Sequence, residues 1–219
     1  MTELDVDTTH PRQPLTREAI VAAAVTLADA EGVGGVTMRK LARSIGYEVM
    51  SLYNHVANKS ELLDLMVDAV AADIETPEET VEPLVAVRTI ALSLRAALVR
   101  YPWAAELWLR QMPGTERSRV MEDLLRFLHH SDLSPSMAHH GFHAVNNHVI
   151  GYTMQELGMM AAVSEREDAA TVYLESLSAD EHPFTIAHVQ QHLDGDTGSS
   201  FELVLDLIID GIVDLSEDG

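Results

Sequence analysis

The sequence predicts an all-α fold, and three observations carry that reading. From Thr16 to Leu215, apolar residues recur three and four positions apart, the spacing of one helix face. No stretch alternates apolar and polar residues for long enough to make a strand. The breaks between periodic segments fall at Gly, Pro and side chains able to cap a helix. With 219 residues, 47% of them apolar, the chain can bury a substantial core, as one large domain or a small one followed by a larger one.

Residues 1–14 read as a flexible arm, with Pro11 and Pro14 blocking a helix. Arg12 in this arm and Arg17 just beyond it could touch phosphate. Thr16 caps a first helix whose buried stripe is Ile20, Ala24, Leu27 and Ala28, and EGVGG ends it. Thr37 can cap a second helix, MRKLARS, which stops at Ile45 and Gly46 because glycine closes a helix without a Cβ clash. A third helix restarts at Tyr47 or Glu48 and runs to His55. Leu41, Ile45, Leu52 and Val56 fall in the core. After the turn VANKS, Ser60 can cap a fourth helix reaching Ile74, with Leu62, Leu63, Met66, Val67, Val70 and Ile74 along its face. Thr76 and Pro77 end it.

The rest of the chain stays helical. EETVEPLVAVRTIALSLRAALVRYP buries Leu84, Val87, Ile90, Leu94, Ala97 and Leu98. PWAAELWLRQM follows and breaks at Pro113 and Gly114. TERSRVMEDLLRFLHH places Val120, Leu124, Leu125, Phe127 and Leu128 inward. SDLSPS turns into a long helix from about Pro135 to Ala162. An acidic segment with a short helix, then FTIAHVQQHL and the flexible GDTGSS, lead to FELVLDLIIDGIVDL. That last helix carries two apolar stripes, Phe201, Leu205, Ile208, Ile212 and Leu215, and Val204, Leu207 and Gly211. A helix apolar on two sides is buried on two sides. One side can face its own domain and the other a second copy, paired with the long helix and its Gly141 and Gly151 as a four-helix dimer interface.

Composition narrows the chemistry. There is no cysteine, which removes disulfides, Cys zinc sites and thiol nucleophiles. No run of eighteen apolar residues and no signal peptide is seen, so a cytoplasmic protein with no membrane partner is expected. No Ser-His-Asp ordering, Gly-rich phosphate loop or paired carboxylates point to catalysis. The net charge of −21 argues against nucleic acid at first sight. Its distribution reverses that. Between Arg12 and Ser60 six basic residues face four acids, a net of +2, while the other positions carry −23.

Within that stretch, TMRKLARSIGYEVMSLYNHV is two short helices about a Gly-containing turn, the helix-turn-helix pattern. Its second helix suits the DNA major groove. Candidate DNA-contacting residues are Thr37, Met38, Arg39, Lys40, Glu48, Val49, Met50, Ser51, Tyr53, Asn54, His55 and Lys59. Ser51 and Tyr53 offer hydroxyls, Met50 suits a thymine methyl, and Arg39 suits a guanine edge or a phosphate.

The segment VTMRKLARSIGYEVMSLYNHVANKSELLDLM, from Val36 to Met66, resembles the signature of the TetR family of transcriptional repressors: a capping Thr, K-L-A, the Gly turn, L-Y-x-H-V and N-K-x-x-L-L. GYTMQEL, HPF and FELVLDLIIDGI resemble the C-terminal half of the tetracycline-repressor branch. The resemblance implies a two-domain homodimer with no catalytic activity and no cofactor. It implies binding to near-palindromic operator DNA, with release by a small-molecule inducer held in the C-terminal domain. The organisation it suggests is an arm at 1–14, a helix-turn-helix DNA-binding domain at 15–60, a connecting helix at 61–76 that acts as a lever, and a ligand-binding and dimerisation domain at 77–219. Dimer contacts fall on 135–162 and 198–215. Candidate ligand-lining residues are Leu94, Trp108, Gln111, Leu124, His139, Phe142, His143, Asn146 and Met154. Tetracycline-type repressors use a His on the sixth helix for the magnesium of their inducer; the aligned position here is Trp108, which argues against a tetracycline–magnesium inducer.

Two other readings compete. HHGFHAVNNHV spaces His139 and His143 one helical turn apart, and with His129 and His130 the run from His129 to His148 suits an all-α metal-dependent enzyme. No H-E-x-x-H accompanies it, and no metal site is assigned. A helical interaction protein without DNA binding is the third.

Overall fold

The computed structural model describes residues 14–109, 112–165, 169–193 and 200–217. Nearly all of the expected arm, with Arg12, lies outside them, as do Gln111 and most of GDTGSS. Among the described residues there are eleven helices and no strand. The chain divides into two compact units, residues 1–66 and 67–219.

In the first unit, α1 (Arg17–Gly35) starts where the Thr16 hydroxyl oxygen accepts the Ala19 amide at 3.1 Å. Inside EGVGG, Gly32 sits at φ 72°, the left-handed region that glycine enters freely, and breaks the regular helix there. α2 (Met38–Ile45) begins with the Thr37 hydroxyl accepting the Lys40 amide at 3.2 Å. It ends with Gly46 at φ 72° and the Tyr47 amide donating to the Ala42 carbonyl at 2.9 Å, a Schellman closure. α3 (Val49–Tyr53) is shorter than expected at both ends. Glu48 is extended, so Tyr47 and Glu48 belong to the turn, and the His55 amide closes on the Leu52 carbonyl at 2.9 Å. Ile20, Ala24, Val36, Leu41, Leu52, Val56, Leu62 and Met66 form the core. Ile45 is only half-buried, because it ends α2 beside the turn.

α4 (Lys59–Ala72) is capped two residues earlier than expected. The Asn58 side-chain oxygen, not Ser60, accepts the Glu61 amide at 2.9 Å, and a Glu61 carboxylate oxygen accepts the Ala57 amide at 2.6 Å. This is a capping box shifted by one residue.

The second unit holds α5 (Pro83–Arg100), α6 (Pro102–Trp108), α7 (Thr115–His130), α8 (Pro135–Glu165), α9 (Ala169–Glu175), α10 (Pro183–Leu193) and α11 (Ser200–Glu217). α8 packs against α5, α6, α7 and α11. Val87, Ile90, Leu94, Leu98, Leu124, Phe127, Leu128, Val145, Val149, Phe201 and Leu205 are buried between them. Gly141, expected at a dimer contact, instead brings α8 close to its own neighbours: a Cβ there would stand 3.2 Å from Ile212 and 3.3 Å from Leu128. On α11 the buried stripe is Phe201, Leu205, Ile209 and Ile212. That face is rotated toward Ile209, which leaves Ile208 at its edge and puts Leu215, in the last turn, 66% exposed.

The start of the second unit is fastened by polar bonds. Gly114 precedes α7 and has no side chain to cap it. Asp68 of α4 does so instead, accepting the Glu116 and Arg117 amides at 3.1 and 3.0 Å. In return Arg119 of α7 donates to the Ala71 and Ile74 carbonyls at the end of α4, at 3.2 and 3.3 Å. Buried Asp123 gathers Thr76 at 2.9 Å and Arg126 at 2.7 Å. Further along, Arg88 of α5 reaches Asp206 at 2.6 Å and Glu202 at 2.9 Å on α11. The hydrogen bond from Arg88 holds the Asp206 carboxyl below its ordinary value.

Replacing Asp68 by Ala leaves two amides uncapped and is expected to cost about 1–2 kcal/mol in urea unfolding. A Cβ on Gly114 would lie 2.5 Å from the Asp68 carboxyl carbon, so Gly114→Ala should cost a similar amount. The two should be clearly non-additive in a double-mutant cycle, because both act on the same bonds. Asp206 has a depressed folded pKa, so its contribution is present above the unfolded value and is lost as pH falls through the folded one. Asp206→Asn should therefore flatten the acid limb of a stability–pH curve and leave the neutral-to-basic region parallel to wild type.

Candidate nucleic-acid interface

The surface around α3 follows from how the first unit closes. Leu52 is wholly buried and Val56 anchors the exit, so the residues between them are fixed by period. Glu48, Met50, Tyr53 and Asn54 point to solvent, while Val49, Ser51 and His55 are half-buried. Met50 is 73% exposed and Tyr53 41%. Three positions apart, the two place a thioether and a phenol ring in solvent on one face of α3. Arg39 on the outer face of α2 and Lys59 in the first turn of α4 are exposed. Thr37 spends its hydroxyl oxygen on its own helix cap.

Other candidates behave differently. Met38 is buried in the core, because the first turn of α2 places it on the inward face with Leu41 and Ala42. Lys40 is paired with Glu31 of α1. Arg17 does not stand free for a phosphate: its Nε donates to the His55 carbonyl at 3.0 Å and its Nη2 lies 3.5 Å from Glu61. The neighbouring Glu18 carboxyl is held below its ordinary value, first by a hydrogen bond from its own backbone amide and then by the Thr16 hydroxyl.

In the second unit the candidate ligand-lining residues separate by depth. Leu94 and Leu124 are in the core, and Trp108, Phe142 and Asn146 are half-buried. His139, His143 and Met154 are exposed, because Ala138, Gly141, Val145 and Val149 take the inward face of α8 and turn 139 and 143 outward. Gln111 is outside the described residues. Arg117, buried beside Trp108 with its guanidinium 5.9 Å from the ring, donates to the Trp108 carbonyl at 3.3 Å. The sequence offered no signal for Thr153, which is fully buried on α8 with its hydroxyl unpartnered, nor for the Arg95–Glu156 ion pair at 2.7 Å between α5 and α8.

The histidines do not act as one group. The His139 and His143 rings lie 4.6 Å apart on the surface. His148 turns away, with Nε2 2.9 Å from the Phe201 carbonyl and its ring stacked on Phe201 at 4.7 Å. Among the described residues no group of three or more His, Asp or Glu side chains is arranged to hold a metal ion. No helix among them is long and apolar enough to cross a membrane.

The comparisons agree with this geometry. Residues 20–66 match the family model described as bacterial regulatory proteins, tetR family, and residues 84–215 match the one described as tetracyclin repressor-like, C-terminal domain. The tetracycline repressor protein class D of Escherichia coli is 32% identical over 158 residues, 71% of this chain and 72% of that protein. The crystal structure of apo ActR from Streptomyces coelicolor superposes with a TM-score of 0.78 at 29% identity, covering 94% of this chain and 98% of that one. ActR in complex with actinorhodin, from the same organism, gives 0.72 at 30% identity over 93% of this chain and 99% of that one. A chain that matches at both ends and presents an exposed helix-turn-helix face belongs to the TetR family of DNA-binding transcriptional repressors.

Proposed function

We propose that this repressor binds a near-palindromic operator as a homodimer and is released when a small molecule occupies its C-terminal unit. The observation that carries the DNA half is the exposed face of α3, with Met50 and Tyr53 in solvent, in a unit that also exposes Arg39 and Lys59. Residues 15–60 serve as the reading unit, 61–76 as the connector and 77–219 as the ligand-binding and dimerisation unit. Arg39, Glu48, Val49, Met50, Ser51, Tyr53, Asn54, His55 and Lys59 supply the contacts, with Thr37 and Lys40 at the phosphate backbone. The ligand half is supported by the C-terminal family match and by ActR, whose solved complex holds actinorhodin. Dimerisation is supported by the outer face of α11, where Leu203, Leu207 and Leu215 are each more than 60% exposed, and by Met154 and Met159 on α8. A second copy of the chain that packs on α11 would cover the exposed leucines there.

Selection of duplexes from a random pool by the full-length chain should return a two-fold-related sequence. Its affinity should fall steeply with salt, because each neutralised phosphate contributes about −0.9 to the logarithmic slope. Arg39→Ala and Tyr53→Ala should each cost about 1–3 kcal/mol on that duplex. A chain with no preference for any duplex over random DNA would sink the DNA reading. Independently, Leu207→Glu should convert a dimer to a monomer in sedimentation, and an unchanged dimer would remove α11 from the interface.

A further inference from the structure

Arg17 is the first residue of α1, where a cation opposes the helix dipole. Its guanidinium leaves that helix and spans two others. Nε donates to the carbonyl of His55, just past the end of α3, at 3.0 Å, and Nη2 stands 3.5 Å from a Glu61 carboxylate oxygen in the first turn of α4. The other Glu61 oxygen accepts the Ala57 amide at 2.6 Å, and the Asn58 side chain accepts the Glu61 amide at 2.9 Å. One continuous set of bonds therefore runs from the start of α1 through residues 55–58 to the start of α4.

The reading helix needs such a hold. α3 has five residues, too few to keep its shape alone. Leu52 and Val56 fix its depth through burial, but apolar contacts do not set the direction of its last turn. The His55 carbonyl is the polar handle at that end, and Arg17 holds it.

We infer that Arg17 is a positioning residue for operator recognition: with Glu61 it clamps the exit of α3 so that Met50, Tyr53 and Asn54 meet the bases at a fixed angle. This inference rests on the DNA-binding reading above. A phosphate contact would use the charge of Arg17 alone. A clamp uses its fork, which lysine does not supply. The two roles also differ over Glu61. A carboxylate near DNA repels phosphate, so its neutralisation should tighten binding if it has no structural task.

The test uses full-length protein and a duplex selected from a random pool by the wild-type chain. Arg17→Lys, Arg17→Gln and Glu61→Gln are compared with wild type for affinity at several salt concentrations, for the ratio of selected to random DNA, and for melting temperature. The expected result is a loss of about fivefold on the selected duplex in all three. The salt slope stays unchanged, the affinity for random DNA is close to wild type, and the unit remains folded. The inference is overturned if Arg17→Lys binds as wild type, if Arg17→Gln lowers the salt slope by about one, or if Glu61→Gln binds more tightly. If the wild-type chain selects nothing from the pool, the DNA-binding reading itself falls, which is a separate result.

Discussion

The bond set between α4 and α7 is the constraint on which the second unit depends. Helix ends carry four unpaired amides or carbonyls each, and burying them without partners is costly. Here each helix supplies the other's missing partner: Asp68 takes two amides of α7, and Arg119 takes two carbonyls from the end of α4. The exchange works only because Gly114 has no side chain where the Asp68 carboxyl sits. α4 is therefore anchored at its C-terminal end by directed bonds, while apolar packing through Val67, Val70 and Ile74 sets only its depth. α4 itself begins in one compact unit and ends in the other, and its directed bonds lie at the end that belongs to the second.

Much of this architecture was legible from periodicity. The helices of the first unit and their caps at Thr16, Thr37 and Gly46 are local features, set by groups within five residues of those they satisfy. The errors have the same origin. Ser60 looked like the cap because it precedes the apolar run, yet N-K-S-E carries its own signal: an Asn three positions before a Glu, the spacing of a capping box. Spacing alone places Ile208 inward on the last helix, whereas the structure turns Ile209 in. A stripe with apolar residues on both flanks has no sharp centre, and the neighbours decide the rotation.

The site was legible in its outline and not in its wiring. Met50 emerges as exposed from spacing, since Leu52 two positions on must face the core; for Tyr53 the spacing leaves core and surface equally open, and the structure exposes it. Met38 was not separable from its neighbours, because the same residue type serves both surfaces. Arg17 and Glu61 are 44 positions apart, and no pattern in the chain relates them. The same holds for Arg95 with Glu156, a pair made by α5 and α8 coming together. Long-range polar pairs are a product of the fold, and one sequence contains no trace of them.

At five residues, α3 is shorter than a helix that stands alone. α3 draws its order from Leu52, Val56 and the bonds at either end, so it has no stability apart from the unit that holds it. The exposed face of α3 and the small hydrophobic core beneath it are one cooperative object. A substitution deep in that core therefore acts on the α3 face without touching it.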